Sequence, residues 1–413
     1  MNVSAASATA PVSSAAAVQG SPPAKPPRIA SVDAFRGIVM TLMLAEVMDL
    51  PALAKIFSGS AFWAFIAFHN EHVTWQGCSL HDLIQPGFSF LVGVSLPFSI
   101  ASRRARGASF RALLGHAVWR SFILIALGIF LRSFGHPQTY FTFEDTLTQI
   151  GLGYSFLFLL GWTRVRTQVI ALVLILVGYW AFFALYPAPG PQFDYPSVGV
   201  PAHWSEHYTG FQSHWNMNSN AAWAFDTWFM NLFPREQPFR FNGGGYSTLS
   251  FIPTLGTMLL GLLTGEWLKR PGKPLVKLRG LAAAGAGLTV LGLLIQWAGI
   301  CPIVKKIWTP SWTIYSGGLV LLILAGLYAL MEWKGWRSWA FPFMVIGMNS
   351  IAIYFMSWTM RPFVNTALLT HLGHGPFLIF GPAFEQVLRG AAIMLVFWVI
   401  LYWMYRRKIF LKI

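Results

Sequence analysis

"EHVTWQGCSLHDLIQPGFSFLVGVSLPFSI", Glu71 to Ile100, joins two unlike halves. The second half is apolar, broken only by Ser, Gly and Pro. Taken with the residues on either side, as His81–Ala101, it has the ~20 residues that a helix needs to cross a bilayer. The first half sets two histidines, two acids, a thiol and a tryptophan at the edge of that span. Polar and ionisable groups are costly in a membrane, so their crowding there points to chemistry.

The apolar pattern repeats along the chain. About ten spans are expected: Ser31–Leu50, His81–Ala101, Ala112–Leu131, Leu147–Trp162, Val169–Tyr186, Ser247–Leu268, Leu281–Gly299, Trp312–Met331, Phe341–Met360 and Val387–Tyr405. Composition agrees: 55% of the 413 residues are hydrophobic and 10% charged, against roughly 25% charged in soluble proteins. The fold expected is an all-α, polytopic transmembrane helix bundle. The net charge of +15 does not imply nucleic acid, because the cations cluster in short loops between apolar runs. Roughly 21 of the 29 Lys and Arg fall on one set of loops and termini. By the positive-inside rule that face, with both termini, is cytoplasmic. His69, His72 and His81 then fall on the opposite face, periplasmic for a bacterial inner membrane.

Residues 1–27, rich in Ala, Ser and Pro, read as a disordered cytoplasmic tail, and residues 28–413 as one transmembrane domain. The loop 187–246 is long enough to be functional. It is expected to carry a short helix near Ala221–Leu232 and to form a lid or wall over an outer cavity. The Gly- and Ala-rich seventh span suits close helix packing. Cys78 and Cys301 are too few for a cysteine zinc site, and a disulfide between them stays open. His203 with His207, and His371 with His374, have helical spacing but no acidic or Cys partner to complete a metal set; no metal is expected.

A neutral imidazole is a competent base or nucleophile. His72 is therefore the candidate catalytic residue, with Asp82 as the carboxylate that orients it. The plainer alternative makes His72 an interfacial polar anchor. "RIASVDAFRGIVMTLML" adds a second motif, through Arg28, Ser31, Asp33, Phe35, Arg36 and Gly37. With His72, Trp75, Gly77, Asp82, Pro86 and Val92-Gly93-Val94-Ser95, it resembles the heparan-α-glucosaminide N-acetyltransferase family and its bacterial relatives. Later stretches extend the likeness: Asn220 to Asp226; Pro302, Lys305 or Lys306, Trp308 and Ser311; Gly347, Asn349 and Tyr354. The departures are local. Glu46 and Asp49 stand where the family has asparagines, Gln149 where it has an arginine, and "FNGGGYS" lacks two acids of the family pattern.

The resemblance implies a transmembrane acyltransferase that moves an acetyl group from cytosolic acetyl-CoA to an amino sugar or related glycan on the far side, through His72. Arg36, Arg103, Arg104, Lys269 and Arg270 are expected to attract the CoA phosphates. Trp75, Asn220, Asp226, Lys306, Trp308 and Asn349 are expected around the acceptor. Membrane lipid is the other expected partner, and homodimer formation stays open. His69 and His81 lie outside the matched motif and are expected to be bystanders. The competing reading is a transporter or flippase for a sugar or lipid-linked substrate. Such proteins often show repeated halves and helices broken at mid-membrane, and no internal repeat is evident here.

Overall fold

The computed structural model describes residues 29–411; the expected tail lies outside the described residues. The described residues form helices and connecting turns, with one isolated β-bridge, between Gln76 and Val304. Helix α1 (Ala30–Ala45) runs into a tight turn, Glu46–Met48, and bends at Asp49, whose φ of +49° puts it in the left-handed region. Two short helices follow, α2 (Leu50–Ile56) and α3 (Ala61–Asn70). Phe62, Phe65 and Phe68 recur every three residues on α3 and are exposed. This spacing suits a helix lying in the membrane interface. At 7 and 10 residues neither helix can span.

The long helices are α4 (Ile84–Arg104), α5 (Phe110–Arg132), α6 (Thr146–Leu160) and α7 (Val165–Ala184). After the short α8 (Ala221–Phe229) come α9 (Phe251–Lys269), α10 (Pro274–Trp297) and α11 (Pro310–Tyr328). The chain closes with α12 (Phe341–Met348), α13 (Ser350–Thr359), α14 (Arg361–Leu372) and α15 (Glu385–Arg406). Among the described residues seven helices are long and apolar enough to cross a membrane, and nine if each bent pair counts as one span. The protein is a multi-pass membrane protein. The expected fourth span, Leu147–Trp162, is helix α6, whose 15 residues are apolar but short. Phe341–Met360 is a broken span, α12 and α13 meeting at 68°.

Helix α9 is the most buried of the spans, and glycine lets α4 approach it. A Cβ on Gly93 would stand 1.9 Å from the Met258 carbonyl oxygen; one on Gly261, 2.0 Å from that of Phe90; one on Gly265, 2.4 Å from that of Val94. From Gly261–Phe90 to Gly265–Val94 the contacts advance four residues along both helices, so α4 and α9 run parallel. Their N-terminal ends carry the His72 side of the molecule and their C-terminal ends the cationic side. Backbones packed this closely gain dispersion energy that lipid cannot replace. The Gly- and Ala-rich helix α10 packs in this way only along one stripe. Gly285 and Gly292 touch Gly318 and Tyr315 of α11, while most of α10 faces outward.

Candidate active site

The loop between α3 and α4 turns at Gly77, whose φ of +111° is one that L side chains rarely adopt. Gly77 N–H donates to the Ile303 carbonyl at 3.1 Å, and Gln76 bridges Val304. This pairing lays the loop before α11 against the loop before α4. It brings Lys305 to His72 across 233 residues.

Asp82, fully buried, is the hub. Its Oδ2 accepts from Ser79 N–H at 3.0 Å and Val73 N–H at 3.3 Å. Its Oδ1 lies 2.8 Å from His72 Nδ1 and 3.2 Å from Lys305 Nζ. Lys305 Nζ is also 2.9 Å from His72 Nδ1, yet a single Nδ1 cannot both donate to Asp82 and accept from Lys305. The carboxylate can only accept, and it is the better partner, so Nδ1–H points to Asp82 and the lysine ammonium also donates to Asp82. That tautomer leaves Nε2 with a lone pair that faces Lys305 Nζ at 3.4 Å.

His72 keeps 39% of its side chain exposed. Burial and the Lys305 charge lower its basicity, outweighing the Asp82 hydrogen bond that opposes them. The ring is therefore neutral at neutral pH, the form that can act as base or nucleophile. Burial lowers the affinity of Lys305 for its proton, against the pull of Asp82. Cys78, close by, is not a competing nucleophile, since burial pushes its thiol up to about 12. Cys78 and Cys301 are both free.

His72 opens onto a cavity of about 660 Å³. Met40, Met43, Leu44, Ile84 and Phe88 form its apolar floor. Glu46, His81, Lys305 and Arg361 add charge and polarity at the His72 end. At the other end stands a structural cluster. Asp145 caps α6 through Leu147 N–H at 2.8 Å, and it also binds Arg132 at 3.3 Å and the Tyr354 hydroxyl at 2.7 Å. The long loop supplies one wall through Asn242, Gly244 and Tyr246. Glu206 of that loop accepts from Gln76 N–H at 2.9 Å and from the Thr74 hydroxyl, which clamps it over the His72 loop.

The two histidines outside the motif part company. His69 accepts from Leu80 N–H at 3.1 Å and does not line the cavity. His81, expected to be a bystander, does line it. Its ring centroid is 4.5 Å from that of His72, and its Nε2 is 3.0 Å from Glu46 Oε1. Neither residue was legible as a partner, because the Glu46–His81 contact closes only when α1 packs against α4.

None of the six residues expected around the acceptor lines this cavity. Trp75 is buried and donates to the Trp215 carbonyl at 3.1 Å. Asn220 caps α8 through Ala222 and Trp223 N–H. Trp308 donates to Thr257 Oγ1 at 3.1 Å. Asn349 ties the helix break to the chain end, through the Ile409 carbonyl and Leu411 N–H at 3.0 Å each. Lys306 lies over the Tyr246 ring at 5.6 Å. Asp226 sits behind Asn242 and Tyr246 beside a void of about 10 Å³, room for about one water.

Asp226 Oδ2 accepts from Thr248 N–H at 2.9 Å, while Oδ1 has no partner, and burial raises the carboxyl to about 7. With a folded value above the unfolded one, this group takes up protons on folding. Its cost to stability grows as pH rises from about 4 to about 7. Asp226→Asn is expected to raise the melting temperature by a few degrees at mildly alkaline pH, and the gain should shrink towards about pH 4. A gain that is the same at both ends of a thermal-melt pH series would contradict this.

The five cations expected to meet CoA gather on the opposite side and do not line the cavity. Arg36 donates to Ser95 Oγ at 2.8 Å and lies 3.5 Å from Asp33. Arg104 stacks on Trp162 at 5.2 Å and Arg270 on Trp267 at 5.9 Å. Arg103 borders a small crevice with His116 and Tyr154, and Lys269 ends α9.

No family model matches the chain. It is 26% identical to the heparan-alpha-glucosaminide N-acetyltransferase of Homo sapiens over 446 aligned positions, which cover 94% of this chain and 60% of that protein. Against the Mus musculus protein of the same name it is 24% identical, covering 79% of this chain and 53% of that one. The chain thus spans about 60% of the length of the human relative. The likeness read from the ordered motifs holds over nearly the whole chain.

Proposed function

We propose that this protein is a membrane acetyltransferase that passes the acetyl group of acetyl-CoA to an amine, most simply an amino sugar, at the His72 face. The observation that carries this reading is the arrangement of His72, Asp82 and Lys305 at the mouth of the 660 Å³ cavity. The names of the two relatives support the group transferred.

The tautomer suits a two-step transfer through the ring. His72 Nε2 attacks the thioester carbonyl, a C–N bond forms, and the C–S bond breaks to release CoA thiolate. Asp82 holds the Nδ1–H of the resulting acetyl-imidazolium. Lys305, beside the ring, disfavours that cation and so keeps the acetyl group reactive. An acceptor amine then forms the amide bond as the C–Nε2 bond breaks. Dividing one transfer into two lowers each barrier.

The donor reaches this point from the cationic side, where Arg and Lys suit the CoA phosphates. The cavity floor at Met40 stands one helical turn, about 6 Å, from Arg36 along α1. Replacing Arg103 with Arg104, or Lys269 with Arg270, by Gln in pairs is expected to weaken acetyl-CoA binding about tenfold or more without unfolding, as read by calorimetry. Unchanged affinity in every pair would place the donor elsewhere.

A transporter would favour broken helices, and two are present. At one of them the Asn349 side-chain amide is bound at both its oxygen and its nitrogen by the chain's own backbone, so that side chain is already engaged. The test is direct. Purified protein is incubated with radiolabelled acetyl-CoA and glucosamine, and labelled N-acetylglucosamine is the expected product. Glucosamine uptake into vesicles without acetylation would favour the transporter.

A further inference from the structure

The acetyl-imidazole route leaves a second proton without a place to go. An amine arriving at neutral pH is largely an ammonium ion, which has no lone pair for attack. His72 cannot take that proton, because its Nε2 carries the acetyl group and its Nδ1 is bound to Asp82. A second base is needed within reach of the same carbon.

We propose that Glu46 is that base, a catalytic residue that binds the acceptor's ammonium group and removes its proton, with His81 as the positioning residue that holds its carboxylate. This rests on the acetyl-transfer reading above. Glu46 lines the cavity and its side chain is 51% exposed, so a ligand can meet it. Its Oε1 is fixed 3.0 Å from Nε2 of the buried His81, and the His81 ring lies 4.5 Å, centroid to centroid, from that of His72 and is tilted to it by 53°. The carboxylate therefore stands one ring away from the acyl-carrying imidazole. The groups that act on Glu46 are His81, His72 and, from the start of α14, Arg361; no hydrogen bond joins Arg361 to it. An amide in this place could bind an amine but could not take its proton.

The step balances. R–NH3+ gives one proton to the Glu46 carboxylate and becomes R–NH2. Its lone pair forms the C–N bond, the C–Nε2 bond to His72 breaks, and the second amine proton passes to Nε2 of the departing imidazole, which releases it to water through the open cavity and is neutral again. Glu46 then returns its proton to water through the open cavity.

The test compares two acceptors at mildly acid pH: glucosamine, mostly ammonium there, and hydroxylamine, mostly free base. Glu46→Gln keeps the shape. It is expected to slow transfer to glucosamine by about 100-fold or more, the usual worth of a general base, and transfer to hydroxylamine by less than about tenfold. His81→Asn should show the same selectivity more weakly. The glucosamine rate of Glu46→Gln should recover as pH is raised and free amine accumulates. Equal losses for both acceptors, or no loss, would overturn the assignment of Glu46 while leaving acetyl transfer intact. If the unaltered protein acetylates neither amine, the acetyl-transfer reading fails and this one with it.

Discussion

His72→Ala is expected to abolish acetyl transfer, by about 10³-fold or more, because the residue both attacks the thioester and carries the acetyl group. The protein should still fold and still bind acetyl-CoA. The ring is 39% exposed, so little packing is lost. Asp82→Asn should cost less if the carboxylate chiefly orients the ring, though a wrongly held tautomer is itself expensive. His69→Ala is the control. Its ring accepts one backbone bond at the end of α3 and stands outside the cavity, so most activity should remain. His81→Ala, by contrast, should be impaired, because His81 lies in the cavity wall. Steady-state rates for the four variants separate these outcomes. His72→Ala at near the unaltered rate, with His69→Ala inactive, would put the chemistry on the other histidine.

Lys305→Met should be the most damaging change outside the histidine. The lysine is buried and is 3.2 Å from the fully buried Asp82. Removing one member of such a pair typically costs about 3–5 kcal/mol. Here the loss should fall at the lower end, because His72 can take up a proton and replace the missing charge. That substitution has a sign. With Lys305 gone, a cation that lowers the basicity of His72 is gone too. His72 then stays protonated to higher pH. The acid limb of the pH–rate profile should move up by about one unit or more, the usual effect of a neighbouring charge. Activity at neutral pH should fall sharply and recover in part at alkaline pH. Lys306→Met should change the rate only severalfold, because Lys306 faces the Tyr246 ring outside the cavity. A downward shift of the acid limb in Lys305→Met would contradict the electrostatic role.

The apolar runs made the bundle legible, because a bilayer demands length and hydropathy and both are local properties. The His72–Asp82 pair was legible for a similar reason: ten residues separate them, and one turn of loop closes the gap. Lys305, Glu46 and His81 needed the tertiary fold. Lys305 arrives through a bridge between loops that lie far apart in the chain. Which of Lys305 and Lys306 faces His72 depends on the backbone after that bridge, where Trp308 takes a φ of +48°. The polar residues picked for the acceptor, Asn220 and Asn349 among them, spend their hydrogen bonds on backbone. A polar side chain in an apolar setting must find a partner, and a sequence does not say whether that partner is ligand or chain. Helix α3 escaped a search for spans because it is too short to be one.

Transfer across the bilayer is the central claim, and proteoliposomes of known orientation test it most directly. Radiolabelled acetyl-CoA is supplied only at the cationic face and glucosamine only at the His72 face. Labelled N-acetylglucosamine should accumulate at the His72 face alone, at a rate that His72→Ala eliminates. Product that appears only when donor and acceptor share one face, or that persists in His72→Ala, would contradict it.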